Sequence, residues 1–334
     1  MLSTLRSVNL SLSSACGADC VFCPSDRGAR IPTRHMSFEV ARKIIDEVSQ
    51  PAFIEKYGLK YFNIGENGDC FMNKEAIEIL RYIKKKYPEA GVYVWTDLQF
   101  FTPEKMEIVV RERLLTSIGF NVDGASEHSF SAVKRLSSEY VRGRLPILLE
   151  LRERYGAHIP LTIISLTMRH YVDAVRTAFG RDPVRIADPK QLDIEDDYAE
   201  VEAMIRPLLK PYDTLARSSV MFWAERPGVA PASVDYSAYG CPLMQRVTQE
   251  AFIAPDGSWY ACCFDSNNQL GLGNVHETSL EAVAQGRQRR QLVKLLEARR
   301  FGEIGGPCAT VNCCQFGIAE PSAATRAPAP AVLA

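Results

Sequence analysis

Ser14-Ala15-Cys16-Gly17-Ala18-Asp19-Cys20-Val21-Phe22-Cys23-Pro24 is the stretch on which the fold turns. Cys16, Cys20 and Cys23 have the spacing C-x3-C-x2-C. A short loop of that spacing can turn three thiolates toward three irons of a cubane and leave its fourth iron open. Soft thiolates favour iron–sulfur clusters or zinc. Structural zinc normally takes four closed ligands, often as two C-x2-C pairs. Only three cysteines stand here, and the nearest histidine is His35. A zinc knuckle is therefore the weaker alternative.

Working outward, Val8 to Leu12 is a predicted strand, so the cysteine loop follows directly on the first strand. Helix-like and strand-like runs then alternate. A helical pattern runs through Phe38, Ala41, Ile45 and Val48. Tyr61 to Ile64, Val92 to Trp95, Thr116 to Val122, Leu161 to Leu166 and Val220 to Trp223 are the further strands. Asn73 is placed to cap a helix carrying Ile77, Leu80, Ile83 and Tyr87. Thr102-Pro103 is a helix start, an N-cap followed by proline at the first helical position. Ile194 to Leu209 has a helical pattern. Repeated strand–helix units imply α/β architecture with a parallel sheet. About six units fit before Gly240, so the expectation is a partial (β/α)6 TIM-like barrel and not the complete eightfold one.

The character changes at Cys241. Ala251 to Ala254 and Trp259 to Cys262 flank Pro255-Asp256-Gly257-Ser258, a β-hairpin signal with Gly257 suited to positive φ. One basic helix is expected from about Ser279 to Arg300, with Ser279 as its N-cap. The expected organisation is a barrel over 1–235, a small cysteine-rich domain with a hairpin and a helix over 236–318, and a disordered Ala/Pro-rich tail over 319–334.

Composition narrows the function. Apolar residues make up 46% and charged residues 24%, and 39 basic against 40 acidic residues leave a formal charge of −1. Nucleic-acid binding would call for a basic excess. No apolar run reaches the length of a membrane span, and the first residues lack the apolar core of a signal peptide. A cytoplasmic protein without a membrane partner is expected. Of ten cysteines, three fall near the start and six lie between Cys241 and Cys314. In a reducing compartment such clusters point to metal or redox chemistry.

The first cluster resembles the radical S-adenosylmethionine superfamily, whose signature is this spacing with an aromatic residue before the third cysteine, here Phe22. The resemblance implies a [4Fe–4S] cluster on Cys16, Cys20 and Cys23 whose open iron chelates S-adenosyl-L-methionine. An external electron donor such as a flavodoxin or ferredoxin would reduce it. Ile64-Gly65-Glu66-Asn67 resembles the family's G-G-E-P segment, with Asn67 in place of proline. Asn121-Val122-Asp123-Gly124 resembles its S-x-D-G. By that likeness Gly65, Glu66, Asn67, Thr96, Asn121, Asp123, Ser165 and Arg169, all at or just beyond strand ends, are cofactor-binding candidates. Singly, each is equally well a loop cap or turn residue.

Cys241, Gly257 and Cys262 have the spacing C-x15-G-x4-C, and Cys308, Cys313 and Cys314 follow. This resembles the superfamily's auxiliary-cluster (twitch or SPASM) domain. A second [4Fe–4S] cluster would take Cys241, Cys262, Cys308 and either Cys313 or Cys314, with zinc as the alternative. Cys262 and Cys263 are neighbours on a predicted strand, so their side chains leave opposite faces. Cys263 is then either a small buried apolar residue or a thiol that gives a hydrogen atom to a substrate radical. Longer stretches, among them Cys23 to Gly28, Gly65 to Asp69 and Gly305 to Cys308, resemble the radical enzymes of aminoglycoside antibiotic biosynthesis. That likeness implies an aminoglycoside substrate, with epimerisation or alcohol oxidation as the reaction. Glu66, Asp69, Asp123 and Asp265 would suit a polycationic sugar, or form a solvated rim. No leader-peptide recognition domain is seen before the barrel, which argues against peptide modification.

Overall fold

The computed structural model describes residues 4–20, 23, 33–167, 197–219, 241, 243–265 and 268–309. Among them β1 (Ser7–Leu10), β2 (Tyr61–Ile64), β3 (Gly91–Trp95), β4 (Ser117–Asn121), β5 (Leu161–Thr167) and β6 (Thr214–Ser219) lie in the order β6-β5-β4-β3-β2-β1, each parallel to its neighbour. Parallel neighbours need long crossovers. These contain α1 (Phe38–Val48), α2 (Pro51–Tyr57), α3 (Ala76–Lys86), α4 (Pro103–Arg111), α5 (Glu127–Lys134), α6 (Glu139–Arg154) and α7 (Tyr198–Ile205). The α/β expectation holds.

Local chemistry sets several boundaries. Ser37 accepts a bond from the amide of Val40 at the start of α1, whose Val40, Ala41, Ile44, Ile45 and Val48 are buried at three-to-four spacing. Thr102 caps α4 ahead of Pro103 as expected. Asn73 does not cap α3, which starts at Ala76. Its amide nitrogen instead donates to the carbonyls of Leu12 and Met36, binding the base of the cysteine loop to the chain ahead of α1. Val220 to Trp223 lies outside the described residues, and the sixth strand runs just before it through polar Thr214–Ser219.

The sheet continues past β1. β7 (Glu250–Ile253) pairs parallel with β1, Val8 opposite Ala251 and Leu10 opposite Ile253. β8 (Ser258–Tyr260) and β9 (Gly271–Asn274) follow antiparallel. The expected hairpin is present, with Gly257 at φ 80°, and its first strand also covers the second edge of β1, which otherwise would present unpaired amides and carbonyls. The strand expected to reach Cys262 stops at Tyr260, after a register shift between Trp259 and Tyr260. Cys262 and Cys263 stand in the turn beyond it, where the amide of Asp265 bonds the carbonyl of Cys262 at 3.0 Å.

The single basic helix is in fact two, α9 (Leu280–Ala284) and α10 (Arg287–Glu297), separated at Gly286, whose ψ of 158° is extended. Ser279 does cap the first. Arg289 of α10 is buried and donates to the carbonyls of Val247 and Thr248 at the end of α8 (Met244–Gln249) and to that of Ala284. No helix among the described residues is long and apolar enough to cross a membrane.

Candidate active site and auxiliary cluster site

The cysteine loop leaves β1 and is braced from three sides. Ser13 Oγ accepts from the amide of Ala15 at 2.9 Å. The carbonyl of Ala15 accepts from the amide of Asp69, on the loop after β2, at 2.9 Å. Gly68 allows this approach, because a Cβ there would lie 2.5 Å from the carbonyl oxygens of both Ser13 and Ala15. On the far side the amide of Asp19 bonds the carbonyl of Lys134 at the end of α5, and Arg135 pairs with Asp19 at 2.9 Å. Cys20 is buried, and Cys16 and Cys23 are half-buried. The amide of Cys23 turns back onto the carbonyl of Cys20 at 3.0 Å. Phe22 lies outside the described residues.

Beneath the loop lies a buried cation that the sequence did not single out, Lys134. Burial acts to lower its pKa, but negative charge at Cys20, Asp123, Asp97 and Cys16 raises it above the ordinary lysine value. Its Nζ lies 3.9 Å from Asp123 Oδ2. Cys16 Sγ donates to Asp97 Oδ2 at 3.3 Å.

The strand-end candidates divide. Gly65, at φ 104°, lies against Trp95, whose carbonyl oxygen would be 2.4 Å from any added Cβ, so glycine is required there. Glu66 Oε1 accepts from Arg246 Nη2 at 3.0 Å. Asn67 Nδ2 donates to the Tyr260 hydroxyl at 3.1 Å, which in turn lies 3.3 Å from Ser11 Oγ. Asn121 Oδ1 accepts from the Trp95 indole at 3.0 Å, and its amide nitrogen donates to Asp123 Oδ1 at 3.4 Å. Ser165 is buried on β5. Arg169 lies outside the described residues. The Thr96 hydroxyl donates to Asp69 Oδ2 at 2.7 Å and accepts from the amide of Leu98 at 3.1 Å, which gives it a local structural use.

Two of the acids assigned to a polycationic sugar or a solvated rim are buried and hold backbone, so neither forms a solvated rim. Asp69 is buried, and its carboxylate accepts from Thr96 and from the amides of Asp97 and Phe71. Burial, then the neighbouring Asp97 charge, push its pKa up to about 8. Asp265 is also buried and accepts from the amides of Gln269 and Leu270 at 2.7 and 2.9 Å, clamping the turn after Cys262 and Cys263. Residue type alone had not distinguished a carboxylate that faces solvent from one that holds backbone.

In the carboxy-terminal part, Cys262 is buried, and Cys241 and Cys308 are half-buried. Burial, followed by negative charge at Cys308, Asp265 and Cys241, raises the pKa of Cys262 above the ordinary thiol value. The three belong to one electrostatic group; Cys313 and Cys314 lie outside the described residues. Cys263 is held by an arginine. Its Sγ accepts from Arg246 Nη1 at 3.0 Å. Burial pushes this thiol well above the usual range, against the opposing pull of the Arg246 charge.

Residues 241–314 match the SPASM family, an iron-sulfur cluster-binding domain. Among solved structures the chain is similar to BtrN in complex with AdoMet and 2-DOIA, with a TM-score of 0.57 at 12% identity over 95% of this chain and 99% of that one. It is also similar to Streptococcus suis SuiB bound to S-adenosylmethionine, with a TM-score of 0.55 at 12% identity over 88% and 68% of the two chains. Native anSMEcpe with bound AdoMet gives a TM-score of 0.54 at 13% identity over 87% and 83%. No curated protein matches the sequence. Residues 241–314 are thus a SPASM domain, and the chain as a whole shares the fold of these AdoMet-bound proteins.

The residues present fit an iron–sulfur cluster in the SPASM domain and would also fit one at the Cys16–Cys23 loop. Among the described residues no three His, Cys, Asp or Glu side chains converge tightly enough to hold one metal ion. A cubane sets a different requirement, one thiolate for each iron. Cys16, Cys20 and Cys23 would supply three such thiolates, with the buried Lys134 charge offsetting negative charge on the loop. Cys241, Cys262 and Cys308 would supply three more in the SPASM domain. Sequence reasoning missed Lys134 and Arg246. An isolated basic residue on a helix is ordinarily a solvated one, and only tertiary placement shows otherwise.

Proposed function

We propose that the chain is a radical S-adenosylmethionine epimerase acting on an aminoglycoside sugar, of the neomycin C to neomycin B type. When bound and reduced, the first cluster supplies the electron that cleaves S-adenosylmethionine to methionine and the 5′-deoxyadenosyl radical that removes hydrogen from a sugar carbon. Cys16, Cys20 and Cys23 hold that cluster. Gly65, Glu66, Asn67, Asn121, Asp123 and Ser165 are proposed to line the cofactor. Cys263 then gives its thiol hydrogen to the opposite face of the sugar radical. One S–H bond breaks, one C–H bond forms and a sulfur radical remains. Restoring the thiol takes one electron and one proton, the electron coming from the reductant class that feeds the clusters, a flavodoxin or ferredoxin.

The observation that carries this reading is the environment of Cys263. Its thiol is buried and accepts from Arg246, whose guanidinium also holds the Glu66 side chain. Burial favours the neutral thiol, the form that has a hydrogen atom to give. Anaerobic turnover of candidate aminoglycosides in deuterated water, read by mass spectrometry, tests it. An epimer gains one solvent deuterium at carbon, and Cys263→Ala should still form 5′-deoxyadenosine with little epimer. Full epimer formation by that variant would overturn the assignment. The overlap with BtrN along nearly its whole length supports a second reading, a dehydrogenase of an aminocyclitol or sugar alcohol. Its product loses two hydrogens and gains no deuterium at carbon.

A further inference from the structure

Arg246 lies outside every motif considered above, yet its guanidinium joins three parts of the molecule. Nε donates to both carboxylate oxygens of Glu250, at 3.0 and 3.1 Å, and Nη2 reaches Glu250 Oε2 at 3.0 Å. Glu250 is the first residue of β7, and its Oε2 also accepts from Asn9 Nδ2 of β1 at 3.0 Å. The guanidinium is thereby fixed to the sheet itself, and it lies over the Phe252 ring at 5.2 Å. Its remaining donors point two ways: Nη2 to Glu66 Oε1 and Nη1 to Cys263 Sγ, both at 3.0 Å.

Donor chemistry gives this arrangement a consequence. Guanidinium carries N–H donors and no acceptor. Cys263 can only accept from it, so the contact occupies a sulfur lone pair and leaves the S–H directed elsewhere. The planar fork also fixes the angle between its two targets, which an ammonium on a flexible stem would not.

We propose that Arg246 is a positioning residue that holds the hydrogen-donating thiol of Cys263 at a set place relative to the cofactor-binding carboxylate of Glu66. This rests on the epimerase reading of Cys263. The guanidinium takes no part in bond making. It aims the S–H and fixes the distance between the acid on the β2 loop and the thiol on the β8 turn.

The test uses full-length protein with both clusters reconstituted, comparing wild type, Arg246→Met, Arg246→Lys and Cys263→Ala. Three quantities are read: iron per chain, S-adenosylmethionine affinity by anaerobic equilibrium dialysis, and epimer formed per 5′-deoxyadenosine. Arg246→Met should keep its iron and lower the epimer ratio about tenfold or more, the scale of one lost charge-assisted hydrogen bond. Its S-adenosylmethionine affinity should shift several-fold as Glu66 is released, a readout independent of turnover. Arg246→Lys keeps the charge without the fork and should recover little of the ratio. An unchanged ratio and affinity in Arg246→Met, or full recovery by lysine, would overturn the proposal. So would loss of iron from Arg246→Lys together with Arg246→Met, since that marks a purely structural role. If instead Cys263→Ala makes epimer at the wild-type ratio, the donor assignment has failed, and the positioning proposal falls with it.

Discussion

Arg289→Met should loosen the packing of α10 against α8 and the hairpin within the SPASM domain while leaving the Cys16–Cys23 loop intact. Arg289 is 1% exposed. Its guanidinium donates to the carbonyls of Thr248, Val247 and Ala284 at 2.9, 3.0 and 3.3 Å and lies 5.3 Å over the Trp259 ring. Three bonds from a charged donor contribute at least about 4.5 kcal/mol at roughly 1.5 kcal/mol each. The contact with the indole face adds about 1–2 kcal/mol when desolvated. Against this, burial lowers the arginine pKa to about 10 from 12.5. That is a penalty on the charged form of about 3.5 kcal/mol, at roughly 1.4 kcal/mol per unit. The net is about 2.5 kcal/mol, and methionine recovers little of it because the carbonyls ending α8 lose their donors. Hydrogen–deuterium exchange of amides in 244–253 reads this locally, without assuming two-state unfolding of a metalloprotein. Exchange there should accelerate by about a hundredfold, with the amides of β3 and β4 unchanged. Acceleration below about threefold would mean that α8 is held by something other than this arginine.

Other outcomes follow from the same geometry. Gly68→Ala should cost the first cluster its iron, because the new Cβ meets two carbonyls of the cysteine loop at 2.5 Å; full iron content in the variant would refute this. Replacing Cys16, Cys20 and Cys23 together by alanine should abolish 5′-deoxyadenosine formation and leave about four irons in the SPASM site, measured by iron and sulfide analysis. Asp69 should give the protein a falling stability from acid pH toward neutrality. Unfolded, its carboxyl ionises near 3.8, whereas folded it keeps its proton up to about 8. The unfolded chain therefore binds fewer protons across that window, so stability declines as pH rises through it and levels off above. Asp69→Asn should flatten that slope in thermal unfolding followed across pH.

Much of the barrel was legible because its signals are local. Thr102-Pro103 marks a helix start by a bond made within one turn, and Pro255 to Ser258 forces a hairpin through Gly257. α5 and α6 were less legible. α6 carries Pro146 in its interior, and Lys134 at the end of α5 looks like an ordinary surface charge until the fold buries it. β6 escaped notice because Thr214–Ser219 is mostly polar, as an edge strand of a sheet can be. Cys262 and Cys263 were expected on opposite faces of a strand and in fact stand in a turn closed by Asp265.

What no local pattern could reveal is the seam between the barrel and the SPASM domain. Arg246 and Glu66 are 180 residues apart, as Asn9 and Glu250 are 241 apart. Both pairs exist because β7 extends the barrel sheet beside β1. That one parallel pairing places Glu250 level with Ser7, stands Arg246 four residues earlier on α8, and brings the turn after β8 over the loop after β2. Tyr260 repeats the connection one strand further on, through Ser11 and Asn67. A domain joined by a flexible linker could carry an auxiliary cluster equally well, but its thiol would have no fixed distance from Glu66. Continuity of the sheet supplies that distance, which the proposed delivery of a hydrogen atom to one face of a sugar carbon would require.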